Sequence, residues 1–326
     1  PARQRYLPRT AVLSRRSATL GFSVSNINRS PTRSLGVCRK APDVSITRPC
    51  ATIPPVLKRL YHQAVLEPIA YIDHLQRDPS PTPRSPAFKA VFAAIVVAVM
   101  LTLLNFWVLG GRWGSLITGA LYEWVDALPY GEVRDVLTRI RPLYRHIAWS
   151  LGCLTFYFII PAVIVKGVFR EPLCNFGISA RGFFRHLPIY LVLFVPVLGS
   201  VIVVSYTEAF QETYPFYHNP IAIWDLIIWE FFYCLQFFAL EFFFRGFMIH
   251  SMKHRMGSMA VLAMVIPYCM IHFQKPMAEA LAAILAGTVL GILSLRTNTI
   301  WGGVFIHSAV AIAMDWSSLI QRGWIF

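Results

Sequence analysis

The chain has 326 residues, of which 56% are apolar and only 14% charged. A water-soluble domain averages about 25% charged side chains, so this chain cannot coat a fully solvated surface, and its composition is that of a membrane protein. The net charge of +14 does not point to nucleic acid: residues 1–88 carry +10 of it, and no folded module shows a basic stripe interleaved with aromatics.

Residues 1–50 hold ten basic side chains against one acidic residue, Asp43, and are rich in Ser and Pro. They bury too little apolar surface to fold alone. Residues 1–55 therefore read as a basic, disordered tail, as an organelle transit peptide, or as sequence upstream of the true translation start. Residues 56–76 place apolar side chains at helical spacing, which predicts a short amphipathic helix on the membrane surface. A Pro-rich linker completes the segment 56–87, and the transmembrane domain follows over 88–326.

A span needs roughly 20 mostly apolar residues. Runs of that kind lie near 89–110, 147–168, 186–205, 221–250, 257–274, 277–295 and 300–318. The expected fold class is an all-α, polytopic transmembrane helical bundle of about seven spans, with six to eight as the range. Basic residues cluster in the 166–186 and 245–257 connections, whereas 206–220 has no Lys or Arg. By the positive-inside rule this alternation places the N-terminus in the cytoplasm. The 111–146 connection, with five Arg and four acidic residues on the supposed outer side, fits that scheme poorly. An organelle membrane is the expectation if residues 1–55 are a transit peptide. The six cysteines show no metal-ligand spacing. Trp113, Trp149, Trp301 and Trp324 near span ends read as interfacial anchors.

Charged groups inside a bilayer cost several kcal/mol and usually face a bundle interior or cavity. Here they are Glu230, Glu241, Arg245, His272, His307 and Asp315. Counting about 1.5 Å per helical residue from the basic connections, Glu241 lies roughly 18 Å deep, His272 roughly 25 Å and His307 roughly 12–16 Å. Three titratable side chains on three spans thus share a band of depth. Glu241 and Arg245 are four apart on one helix face, as a self-neutralising pair would be. His250 and His254 continue toward water and read as interfacial.

A glutamate with two histidines suits hydrolysis. The carboxylate can take a proton from water. His272 and His307, with Glu241, could hold a zinc-type ion, or one imidazole could orient water while the other stabilises an oxyanion. The residues do not choose between metal-assisted and metal-free versions.

The runs LEFFFRGFMIH (240–250), YCMIH (268–272) and LAGTVLGILSLRTNTIWGGVFIH (285–307) resemble the CPBP family of CAAX-processing and bacteriocin-processing intramembrane proteases, the Abi or Rce1-like group. NFGIS (175–179) resembles the segment that leads into its core, which would span about 170–318. The resemblance implies an endopeptidase acting on a membrane-associated protein or peptide, with Glu241, Arg245, His272 and His307 as site residues. Two positions depart from the family motifs. Leu240 stands where the first of two glutamates is expected, and Ala311 replaces an Asn or Asp four residues after His307. A catalytically degenerate scaffold or chaperone-like subunit is therefore the alternative, and a transporter or proton relay is a third reading. The expected partners are the lipid bilayer and a membrane-associated substrate. Neither substrate identity nor oligomeric state is set by the sequence.

Overall fold

The computed structural model describes residues 85–324 except Asn219, together with Pro55, Arg59, His62, Gln63 and Glu67. The tail and most of the amphipathic helix expected at 56–76 lie outside the described residues. The five described positions there are exposed.

The described chain is helical, with no strand among the described residues. Helix α1, Pro86–Leu103, starts behind the Ser85 cap, whose side chain accepts from the Phe88 amide, and continues as a wide turn over Leu104–Leu109. Gly110 and Gly111 end it, and Gly111 adopts positive φ at the start of α2, Arg112–Ala127. A short α3, Glu132–Arg139, leads into α4, Arg141–Phe169. Next come α5, Phe183–Val204, and the six-residue α6, Glu208–Thr213. The core consists of α7, Ile223–Met256; α8, Met259–Met270; α9, Met277–Thr297; and α10, Trp301–Gln321.

Six helical segments are long and apolar enough to cross a membrane: Pro86–Ala127, Arg141–Phe169, α5, α7, α9 and α10. The protein is an integral, multi-pass membrane protein. The fifth expected span, 257–274, is shorter than predicted. Helix α8 has 12 residues, a rise of about 18 Å against a hydrocarbon core of about 30 Å. The turn His272–Pro276 then carries the chain to α9. The 111–146 connection is also not a loop. It forms α2, α3 and the first turns of α4, and α2 packs antiparallel to α4 through Tyr122–Tyr144 and an Arg141–Asp126 ion pair. Its amphipathic pattern, with charges on the outer face, hid it from a search for apolar runs.

Helices α1 and α4 are likewise antiparallel, with Lys89 paired to Glu171 at one end and Phe92 meeting Phe169 edge-on. They flank α7, the most buried helix. Phe242, Phe243, Phe244 and Phe247 are all fully enclosed in the main apolar cluster. Small residues let the core helices approach. A β-carbon on Gly287 or Gly291 of α9 would meet Tyr268 or Val261 of α8 at 2.9 and 2.8 Å, well inside ordinary contact. The lead-in segment is clamped the same way. Gly177 at positive φ accepts from the Ile300 amide at 2.9 Å, and Gly246 leaves room for the Phe176 carbonyl.

Two sequence expectations are corrected by this packing. His250 is buried, not interfacial, because Phe176 of the lead-in segment covers it and Lys253 Nζ lies 3.0 Å from its Nδ1. Trp149 packs inside the bundle against Phe216, Trp229 and Tyr233 rather than anchoring at an interface.

Candidate active site

Glu241 ends the regular part of α7, and a wide i→i+5 turn over Phe242–Met248 begins immediately after it. Both Glu241 and Arg245 are 0% exposed. Arg245 reaches back along its own helix to within 3.1 Å of Glu241 Oε1. The same oxygen lies 2.7 Å from His307 Nδ1 on α10. An isolated charge of this kind is prohibitive in a low-dielectric interior, and the pairing offsets much of that cost.

Helix α10 can bring His307 this close because of the two glycines that precede it. A β-carbon on Gly303 would overlap the Glu241 carboxylate, and one on Gly302 would overlap the Tyr190 ring of α5. Glu241 Oε2, pressed against Gly303, has no hydrogen-bond partner among the described residues. The His307 ring lies parallel to Phe237, at 5.6 Å between centroids and 8° between planes, which sets its orientation.

Tyr268 of α8 links the remaining groups. Its hydroxyl is 2.8 Å from His307 Nε2, and its ring carries the Arg245 guanidinium at 4.0 Å from the centroid. The Arg245 charge is thus answered by an ion pair and an aromatic face rather than by well-directed hydrogen bonds. His272 packs against the same Tyr268 ring at 4.8 Å, and its Nδ1 donates to the Tyr268 carbonyl at 2.8 Å. This bond assigns the neutral tautomer with a free lone pair on Nε2.

All four predicted site residues therefore belong to one assembly, but in an unexpected order. Glu241, Arg245 and His307 are in direct contact. His272 joins them through Tyr268, the first residue of the YCMIH run, to which the sequence reading gave no role. Its position four residues before His272 was the available signal. Glu230 and Asp315 form a separate polar group farther along α7 and α10. There Trp229 Nε1 donates to Asp315 Oδ2 at 2.8 Å, while the Glu230 carboxylate has no hydrogen-bond partner among the described residues.

The zinc site considered from sequence does not fit this arrangement. His307 has Nδ1 on Glu241 and Nε2 on Tyr268, so neither of its ring nitrogens is open to a metal, and only His272 Nε2 remains. Among the described residues no three His, Cys, Asp or Glu side chains are placed to hold a metal ion.

The two departures from the family motifs are packed as apolar residues. Leu240 lies in the main apolar cluster, and Ala311 fits against the cluster of Trp229 and Tyr233. No curated protein and no solved structure matches the chain. One protein-family model does, over residues 222–313, which hold Glu241, Arg245, Tyr268, His272, Gly303 and His307. That match makes the segment carrying the candidate site similar to the type II CAAX prenyl endopeptidase Rce1-like family.

Proposed function

We propose that this protein is an intramembrane endopeptidase that hydrolyses a peptide bond in a membrane-associated protein or peptide. The observation that carries the proposal is the buried Glu241–His307 contact between α7 and α10, at 2.7 Å, inside the segment that matches a protease family.

The roles differ from those suggested by the motifs. Glu241 has no exposed surface and already serves Arg245 and His307, so it is a positioning residue. His272 is half-buried, and its Nε2 is not engaged by another described residue. It is the group able to act as general base. In this scheme His272 Nε2 takes a proton from water as the water oxygen bonds to the scissile carbonyl carbon. The same proton then passes to the leaving amide nitrogen as the C–N bond breaks. The chain Glu241–His307–Tyr268 fixes the wall against which His272 stacks.

The test is cleavage of a membrane-embedded peptide library by the purified protein in lipid. Turnover that falls about 100-fold or more in His272→Ala, the lower end of general-base contributions, supports the proposal. Turnover unchanged in both His272→Ala and Glu241→Gln overturns it.

A second reading, a non-catalytic scaffold on the same fold, is favoured by the apolar packing of Leu240 and Ala311. It predicts no turnover by the wild-type protein on any peptide of the library. A single cleaved peptide, lost in His272→Ala, eliminates it.

A further inference from the structure

The start of α5 and the end of α9 meet at the end of the bundle that also carries Lys166, Arg170, Lys253 and Arg255. Between the two helices lies a cavity of about 260 Å³. Its polar rim is Arg185 and His186 from α5 and Arg296 from α9. Its floor is apolar, formed by Pro188, Ile189 and Leu293. No acidic side chain lines it among the described residues. Gln63 completes the wall, and the nearby Glu67 is engaged with His62 at 3.4 Å.

Among the described residues no acidic group neutralises the cations of the rim. Neither Arg185 nor Arg296 has a hydrogen bond or ion pair with any described residue. His186 Nδ1 bonds the Gly182 carbonyl at 2.8 Å, which leaves Nε2 directed elsewhere. Like charges converging on one groove repel unless an anion joins them.

The level of the groove identifies the anion. Arg185 lies in the first turn of α5, directly before the apolar run that begins at Leu187, and Arg296 lies in the last turn of α9. Both are therefore at the depth of lipid headgroups, where long cationic side chains reach from a span end to the interface. Below them the outward face of α5 is apolar and bare, with Val192 71% and Val195 67% exposed. A cationic rim, an apolar floor and an acyl-compatible wall in vertical sequence match one amphiphile.

We propose that the groove between α5 and α9 binds the phosphate headgroup of an anionic phospholipid. Arg185 and Arg296 take the phosphate oxygens, His186 the adjoining ester or glycerol oxygen, and the acyl chains run down the exposed face of α5. Occupancy would be felt at the candidate active site through a short path. Ile189 of the floor adjoins Tyr190, whose ring fills the space at Gly302 next to the Gly303–Glu241 contact. Lipid binding in this groove requires no catalytic turnover.

The full chain, delipidated in neutral detergent, should be titrated with phosphatidylglycerol and with phosphatidylcholine. Bound lipid and thermal stability are then measured together. We expect a saturable preference for phosphatidylglycerol that raises the melting temperature. Each cation near a membrane surface contributes about fivefold, so Arg185→Gln/Arg296→Gln should weaken the preference by about 30-fold. Arg185→Lys/Arg296→Lys should retain most of it, which separates loss of charge from loss of fold. Lys166→Gln/Arg170→Gln removes the same charge at the same end outside the groove and should change little. Equal weakening by that control would show diffuse attraction and overturn the site. Stabilisation reproduced in full by inorganic phosphate alone would overturn the lipid assignment.

Discussion

Gly303 of α10 rests directly on the Glu241 carboxylate of α7, with no room between them for a β-carbon. The contact joins the two helices at a fully enclosed carboxylate. Gly303→Ala must therefore displace either the carboxylate or the helix. An overpacked core site costs about 1–3 kcal/mol, and here the displacement also lengthens the Glu241–His307 contact. We expect a lower melting temperature in lipid or detergent and loss of any peptidase activity. Gly199→Ala, at a position with open space around its Cα, is the matched control.

Glu241→Gln keeps the shape of the side chain and removes its charge, leaving Arg245 enclosed without its ion-pair partner. Removing one partner of a buried pair costs about 3–5 kcal/mol, and much of that cost is the uncompensated charge. Glu241→Gln combined with Arg245→Met should therefore be more stable than Glu241→Gln alone. Equilibrium unfolding of the two variants side by side measures the difference.

Tyr268→Phe deletes the hydroxyl that meets His307 Nε2 at 2.8 Å but keeps the ring beneath Arg245 and beside His272. The stability loss should be about 1 kcal/mol, the usual worth of one hydrogen bond. If the chain from Glu241 to Tyr268 positions the site, cleavage should fall far more than stability does, through kcat rather than KM. Melting curves and peptide kinetics on the same preparation compare the two.

Gly246 accepts the Phe176 carbonyl so closely that an added β-carbon would lie 2.7 Å from it. Gly246→Ala should push the lead-in segment off α7 and expose His250, which Phe176 covers. Hydrogen exchange at residues 173–179 should rise in this variant, whereas exchange in α9 should not.

Lys275 lies in the turn between α8 and α9, over the Phe216 ring at 3.7 Å and with Nζ 3.1 Å from the Tyr214 hydroxyl. Burial pushes its pKa down from 10.5 to about 8, partly offset by Glu279 and Asp315. Between those values the unfolded chain holds a proton that the folded protein has released. Stability from this group thus increases as pH rises from about 8 to 10.5. Lys275→Met should flatten that part of the melting-temperature profile.

The distribution of charge and hydropathy was enough to read the all-α class and six of the seven expected spans, because both are one-dimensional properties. Depth along each helix could also be counted, and it brought Glu241 and His307 to one level. Rotation could not be counted. Whether Glu241 or its neighbour Leu240 faced α10 depended on two glycines in another helix, Gly302 and Gly303. The role of His272 depended on a tyrosine whose hydroxyl and ring act on different partners. The helices at 112–147 were missed because they are amphipathic rather than apolar. His250 was misplaced because the segment that buries it lies more than seventy residues earlier in the chain. Apart from those amphipathic helices, each miss is a contact between distant positions that leaves no local pattern.

The wide turn at Phe242–Met248 holds one residue more per hydrogen-bonded loop than ordinary helical winding. It therefore sets the phase between the upper and lower halves of α7. Deleting one of the three consecutive phenylalanines, Phe242 to Phe244, would let the turn rewind to ordinary winding with the residues below keeping their faces, whereas deleting one residue from the regular turns of α7 would rotate everything below by about 100°. In those regular turns chain length, not side-chain identity, encodes the direction in which half a helix looks.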